Sequence, residues 1–186
     1  GDDLDASAAP AAGIDDWAGE IRTDAARDHR RREHWLRRQA ADDASLTGVL
    51  VDLAEQGHLV RITTTGGGRH LGRVRGAGAE VVVLDSGRHR VVVAVDAVAT
   101  VQAAPGEHDV TSPVGHRVGD DPTTLGDLLS HAVGEAEDVT LVTRSGQVLV
   151  GELVAVGRDV VMVRPDRRTP MVYARLDSLS EALLPL

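Results

Sequence analysis

All 20 cationic side chains of this 186-residue chain are arginines. A guanidinium group is planar and offers paired donors, which suits phosphate and carboxylate oxygens. The spacing of the arginines therefore indicates where an anionic ligand could be held. One cluster is RDHRRREHWLRR, residues 27–38. On a helix Arg27, Arg30, Arg31, His34 and Arg38 fall along one broad side, which could track a phosphate backbone. The same residues also suit a solvated helix face with Asp28 and Glu33 as i,i+4 partners, or a face docked on acidic chain elsewhere. A second cluster holds Arg61, Arg69, His70, Arg73, Arg75, Arg88, His89 and Arg90, opposed only by Glu80 and Asp85. Strand alternation would set Arg69, Leu71, Arg73 and Arg75 on one face, with Gly72 and Val74 on the other. An exposed strand face must carry polar groups in any case, so a binding role and a purely structural one both fit.

Other chemistry finds little support. Without cysteine there are no disulfides, no thiol nucleophile and none of the usual structural zinc sites. The eight histidines include no HExxH, and His29 and His34 are five apart, off the single face that i,i+4 ligands need. The glycine runs GGG (66–68) and GRVRGAG (72–78) lead into strand-like sequence, and no lysine follows to reach a phosphate. Ser130-His131 and Asp120-Asp121 are neighbours in sequence with no nucleophile elbow around them. Trp17, Trp35 and Tyr173 are too few and too scattered to stack the bases of a single strand. The expectation is a non-enzymatic chain with no cofactor and no metal. Any nucleic-acid binding would rest on backbone charge and shape, would be weakly sequence-specific and would depend steeply on salt.

The elements that would position these side chains follow from composition and periodicity. A chain of this length can bury roughly 70% of the surface its unfolded form exposes. Its apolar 42% is mostly Val, Ala and Leu, with no Phe and 2% aromatics, which favours strands packed with small branched side chains. The joint absence of Lys, Asn and Phe matches a GC-rich, bacterial coding bias. No run of about 18 apolar residues occurs, and the start, GDDLDASAAPAAG, lacks the basic flank and apolar stretch of a secretory signal. A cytoplasmic protein with a formal charge of -9 and no membrane partner is expected.

Residues 1–13 read as a disordered leader, and 14–43 as a long N-terminal helix whose stripe of Trp17, Ile21, Ala25, Trp35, Leu36 and Ala40 is broken. Beyond it the chain repeats. A displacement of 79 residues lays Ser45–Leu84 on Thr124–Val163 without a gap. Leu46, Leu50, Val60, Thr64, Gly67, Gly72, Gly78, Val81 and Val82 then meet Leu125, Leu129, Val139, Thr143, Gly146, Gly151, Gly157, Val160 and Val161. Each copy opens on a cap-competent hydroxyl, Ser45 or Thr124, and continues with apolar residues at helical spacing. Gly57 and Gly134 fall where those helices should stop. Alternating stretches follow, joined by the hairpin turns GGGR and RSGQ, and Gly72 or Gly151 stands where a strand must bend. A short helix and about five short strands in each copy predict a small, strongly bent antiparallel barrel, twice over. The first would span 44–103 and the second 124–186, with a proline-bearing linker at 104–123.

The segments VTLVTRSGQVLVGELVAVGRDVVMV (139–163) and VRITTTGGGRHLGRVRGAGAEVVVL (60–84) resemble the Sm-like family, including its bacterial RNA-chaperone branch, within the wider SH3-like barrels. The resemblance covers most of 45–101 and 124–183. It implies a mainly β chain with helices: two tandem five-stranded bent antiparallel Sm-like or SH3-like barrels, each behind a short helix. The family's RNA-binding Asp and Asn would stand at Gly78 and Val82, or at Gly157 and Val161. Its basic signature would stand near Val95 and Asp96, or near Arg175 and Leu176. The resemblance therefore transfers no RNA-binding residue. It also implies a homo-oligomer assembled through barrel edges, whereas the tandem copies could instead satisfy their edges against each other as an internal pseudo-dimer. Two functions stand side by side: RNA or DNA backbone binding through Arg27, Arg30, Arg31, Arg38, Arg61, Arg69, His70, Arg73 and Arg75, and protein interaction or assembly through barrel edges and the N-terminal helix.

Overall fold

The computed structural model describes residues 29–36, 38, 39, 42, 44–105, 115, 117, 119–135 and 138–186. The chain divides into two compact units, 1–42 and 43–186. In the first, residues 29–36, 38, 39 and 42 are helical, and all but Glu33 are exposed. The leader and residues 14–28 of the expected helix lie outside the described residues.

The second unit is mainly β. Helix α1 (Leu46–Gln56) precedes strands β1 (Leu59–Thr64), β2 (Arg69–Ala77), β3 (Val81–Asp85), β4 (His89–Ala94) and β5 (Val98–Ala103). Helix α2 (Leu125–Ala132) precedes β6 (Val139–Thr143), β7 (Val148–Val156), β8 (Val160–Arg164), β9 (Val172–Arg175) and β10 (Leu179–Pro185). A 3-10 turn joins β4 to β5 at Val95–Ala97 and β9 to β10 at Leu176–Ser178. The strands form a single open antiparallel sheet of ten, in the order β5-β1-β2-β3-β4-β10-β6-β7-β8-β9. Read by halves, the order is the same twice, because β10 stands to β6 as β5 stands to β1.

Local chemistry repeats with the order. The Ser45 hydroxyl accepts from the Gly48 amide to start α1, and Thr124 and Asp127 close a reciprocal capping box on α2. Helix α1 stops at Gly57, whose φ of 63° is left-handed, as its glycine predicts. Helix α2 stops earlier than Gly134, at Ala132, with extended Val133 as its cap. In the hairpin turns Thr64 Oγ accepts from the Gly68 amide and Thr143 Oγ from the Gln147 amide. The 3-10 turns are anchored alike, since the Val95 amide donates to Glu80 O and the Leu176 amide to Asp159 O. The same hydrogen bonds thus recur at the caps, hairpin turns and 3-10 turns of both halves.

Both halves bend at the same glycine. A Cβ on Gly72 would lie 2.8 Å from the Asp85 carbonyl oxygen, and one on Gly151 would lie 2.3 Å from that of Arg164. A register shift follows in each ladder, between Val74 and Gly76 and between Leu153 and Ala155. The bends wrap each half over its own apolar side chains. One core gathers Leu50, Leu53, Val60, Ile62, Val74 and Leu84. The other gathers Leu129, Val139, Leu141, Leu153, Val161 and Leu179, and it also takes in Val81 and Val92 from the first half. Since β4 and β10 are bonded neighbours, the two cores meet under one sheet.

Gly72→Ala and Gly151→Ala should each cost about 1–3 kcal/mol, the usual range for forcing atoms into filled space. Gly76, where an added Cβ would meet nothing within 4 Å, should accept alanine without loss. Urea denaturation of the three variants measures the contrast.

Candidate functional site

The arginine cluster on the first half resolves by strand alternation. Arg69, Leu71, Arg73 and Arg75 are exposed along β2, while Gly72 and Val74 between them are buried. Pairing with β1 sets Arg61 opposite Leu71 and places it diagonally beside Arg69 and Arg73. Four guanidinium groups therefore share one outer face. Arg73 Nη1 donates to Gly57 O at 3.0 Å. Arg75 holds Asp85, with Nη2 2.9 Å from Oδ2. The Gly87 amide above all, then the Arg75 guanidinium, hold the Asp85 carboxyl below its ordinary 3.8. Arg61 and Arg69 have no ion-pair partner among the described residues.

His70 does not share this face. It lies opposite Ile62, and its Nε2 approaches Glu181 Oε1 of β10 to 2.9 Å, with the two side chains 12% and 2% exposed. The contact is ionic when the imidazole is protonated. Glu181 Oε2 has no hydrogen-bond partner among the described residues. The reason is the period of two: a residue between the outward Arg69 and Leu71 points inward. Arg30, Arg31 and Arg38 are exposed on the helical segment of the first unit, where His29 and Glu33 pair at i,i+4 spacing. Arg27 lies outside the described residues.

The matching face of the second half is not cationic. Val148, Val150, Glu152 and Val154 replace the β2 sequence of Arg69, Leu71, Arg73 and Arg75. Val148 and Val150 are more than half exposed, and Tyr173 on β9 is 66% exposed. Glu152 is paired with Arg164 at 2.8 Å.

What joins the halves is the β4·β10 ladder, running from Glu181 opposite Val93 to Pro185 opposite His89. Beside it Arg144 Nη2 reaches both carboxylate oxygens of Asp96, at 2.8 and 3.0 Å. The hairpin turns touch as well: a Cβ on Gly66 would be 3.1 Å from Thr143 O, and one on Gly146 would be 3.1 Å from Gly66 O. The ladder uses the fourth strand of one half and the fifth of the other. Their counterparts, β9 and β5, are the two ends of the sheet. The β5 edge, VATVQA, carries no charge and no proline, the devices that usually blunt an open edge. On β9 the bond from the Leu176 amide to Asp159 O sets the ladder phase, so the Tyr173 and Arg175 amides point away from β8.

Strand alternation shows the arginine face in the sequence itself. Glu181 leaves a visible trace there too, as the one charge in the otherwise apolar and small run LSEALL, although its partner does not. Asp96 and Arg144 carry no such trace. Among the described residues there is no group of His, Asp or Glu able to hold a metal, and no helix long and apolar enough to cross a membrane. Compared with family models and with curated proteins, the chain matches none.

Removing His70 alone leaves a buried carboxylate without its partner, and His70→Ala should cost about 3 kcal/mol. His70→Leu combined with Glu181→Leu should recover most of that loss, as denaturant midpoints would show. Asp85 should titrate below 3.8 by carboxyl NMR. Its pKa should rise in Arg75→Gln yet stay depressed, because the Gly87 amide remains. A depressed carboxyl stabilises the fold above its unfolded pKa, and that contribution fades as pH falls through the folded value.

Proposed function

We propose that this chain is a non-enzymatic assembly module, built of two Sm-like or SH3-like bent barrels, that joins copies of itself through its sheet edges. One observation carries the reading: the halves are joined by β4 and β10, and the two ends of the sheet among the described residues are the counterparts of those same strands. The β9 edge of one chain offers what β4 offers to β10, and the β5 edge of the next offers what β10 offers to β4. Such head-to-tail contacts are heterologous, so they close into a ring or continue as a filament. Backbone bonds would supply the affinity of this pairing and the strand side chains its register.

A second reading, RNA or DNA backbone binding, is favoured by Arg61 and Arg69, which stand beside Arg73 and Arg75 with no ion partner of their own among the described residues. The apolar counterpart face on the second half confines this reading to the first half. Repeated around an assembly, such a face would present phosphate contacts at regular intervals.

Light scattering on the full chain should give a mass of several chains. Tyr173→Pro removes an outward amide where the side chain is exposed and packs little, and it should return the mass to that of one chain with the fold intact by circular dichroism. A single-chain mass for the unaltered protein at micromolar concentration would defeat the assembly reading. Backbone binding should fall by orders of magnitude between about 50 and about 200 mM salt, the mark of counterion release. Arg61→Ala with Arg69→Ala should remove most of it, as titration of labelled single- and double-stranded oligonucleotides would show.

A further inference from the structure

The two halves treat one corresponding surface differently. In the first half the end of the linker lies against α1 and the turn between β2 and β3. The Ser45 amide donates to Gly115 O at 3.1 Å, the Gly115 amide to Asp52 Oδ2 at 3.0 Å, and the Ala79 amide to Asp121 O at 3.3 Å. Arg117 Nη1 lies 2.6 Å from Glu55 Oε1. Glycine makes the room: a Cβ on Gly48 would sit 2.1 Å from Gly115 O, and one on Gly78 would sit 2.6 Å from Asp121 O. This surface is a seat for a polypeptide segment carrying an arginine.

In the second half no described segment lies along the equivalent surface. Gly157 corresponds to the buried Gly78 and is exposed, and a Cβ there would meet only Val160. The amide of Arg158, counterpart of the Ala79 amide, has no acceptor among the described residues. Asp127 replaces Gly48, and its carboxylate takes the Thr124 amide, so the cap end of the seat is closed by the helix itself. The rest is the wall of a cavity of about 550 Å³, completed across the joint by Glu80 and Asp96 of the first half. Asp96 is matched by Arg144 and Asp177 by Arg175. The Glu80 carboxylate has no ion partner among the described residues.

We propose that this cavity binds a peptide segment bearing an arginine, with a backbone carbonyl on the Arg158 amide and the guanidinium on Glu80. The first half already holds such a segment on the corresponding wall, and the carboxylate that takes up the cation is supplied here from the other half. The cavity lies within one chain, so its occupancy is independent of pairing between chains.

The probe is the peptide GHRVGDD, the sequence of residues 115–121, titrated into the full chain and followed by amide NMR. Shifts should concentrate at Gly157, Arg158 and Glu80. Glu80→Arg changes only an exposed side chain and should weaken binding about tenfold or more, roughly 1.4 kcal/mol per factor of ten. A peptide with glutamate in place of its arginine should not bind. The proposal is overturned by the absence of shifts at millimolar peptide, or by equal binding to Glu80→Arg. Shifts confined to residues 45–52 and 78–79, the mark of exchange with the chain's own linker, would also overturn it. So would a single-stranded oligonucleotide that moves the cavity amides at lower concentration than the peptide.

Discussion

Strand β10 holds the architecture together. It is the last strand in the chain, yet it lies between β4 and β6 and bonds to both. Without it the first half would end at an open β4, the second half would lack its fifth strand, and the apolar side chains of Val81 and Val92 would lose the core they share with the second half. Its placement also buries Glu181 beside His70, a contact that is sheltered from water, is ionic when the imidazole is protonated, and leaves Glu181 Oε2 and His70 Nε2 without a hydrogen-bond partner among the described residues. Buried pairs of this kind contribute little net stability, but they penalise a slipped register, which would strand a charge in apolar surroundings.

Around that joint the repeat is kept where geometry demands it and abandoned where it does not. The bend glycines, hairpin threonines and anchoring amides are the same in both halves because each answers a backbone constraint. The outward faces diverge, cationic around Arg61 and Arg69, apolar around Val148 and Val150. So do the helix surfaces: Gly48 admits a passing chain while Asp127 caps its own helix. Two copies of one scaffold thus present unlike surfaces, as expected when the backbone is constrained by its own bonds and the solvent-facing positions are not.

Most of the repeated unit was legible in the amino-acid order, for a local reason. Hydroxyl caps, alternation of Val with polar residues, and glycines at turns and bends act over a few residues, so Ser45 and Thr124 announce a helix, Gly72 and Gly151 a bend, and Gly57 the stop of α1, while Gly134 lies just past the actual end of α2. The arginine face on β2 was legible for the same reason, since alternation alone sorts Arg69, Arg73 and Arg75 from Gly72 and Val74. His70, named with those arginines as a phosphate contact, turns inward by that same rule, and its partner was hidden.

The sequence by itself determined the unit and its duplication, because periodicity and turn chemistry are properties of neighbours along the chain. Tertiary structure alone decided that β10 joins β4 and leaves β5 and β9 at the two ends of the sheet, that Glu181 meets His70, that Arg144 crosses to Asp96, and that one helix surface is covered by linker while the other borders a cavity. Each of these is a contact between residues far apart in the chain. The free energy of such a contact depends on the packing of everything between its partners, and no local pattern records it.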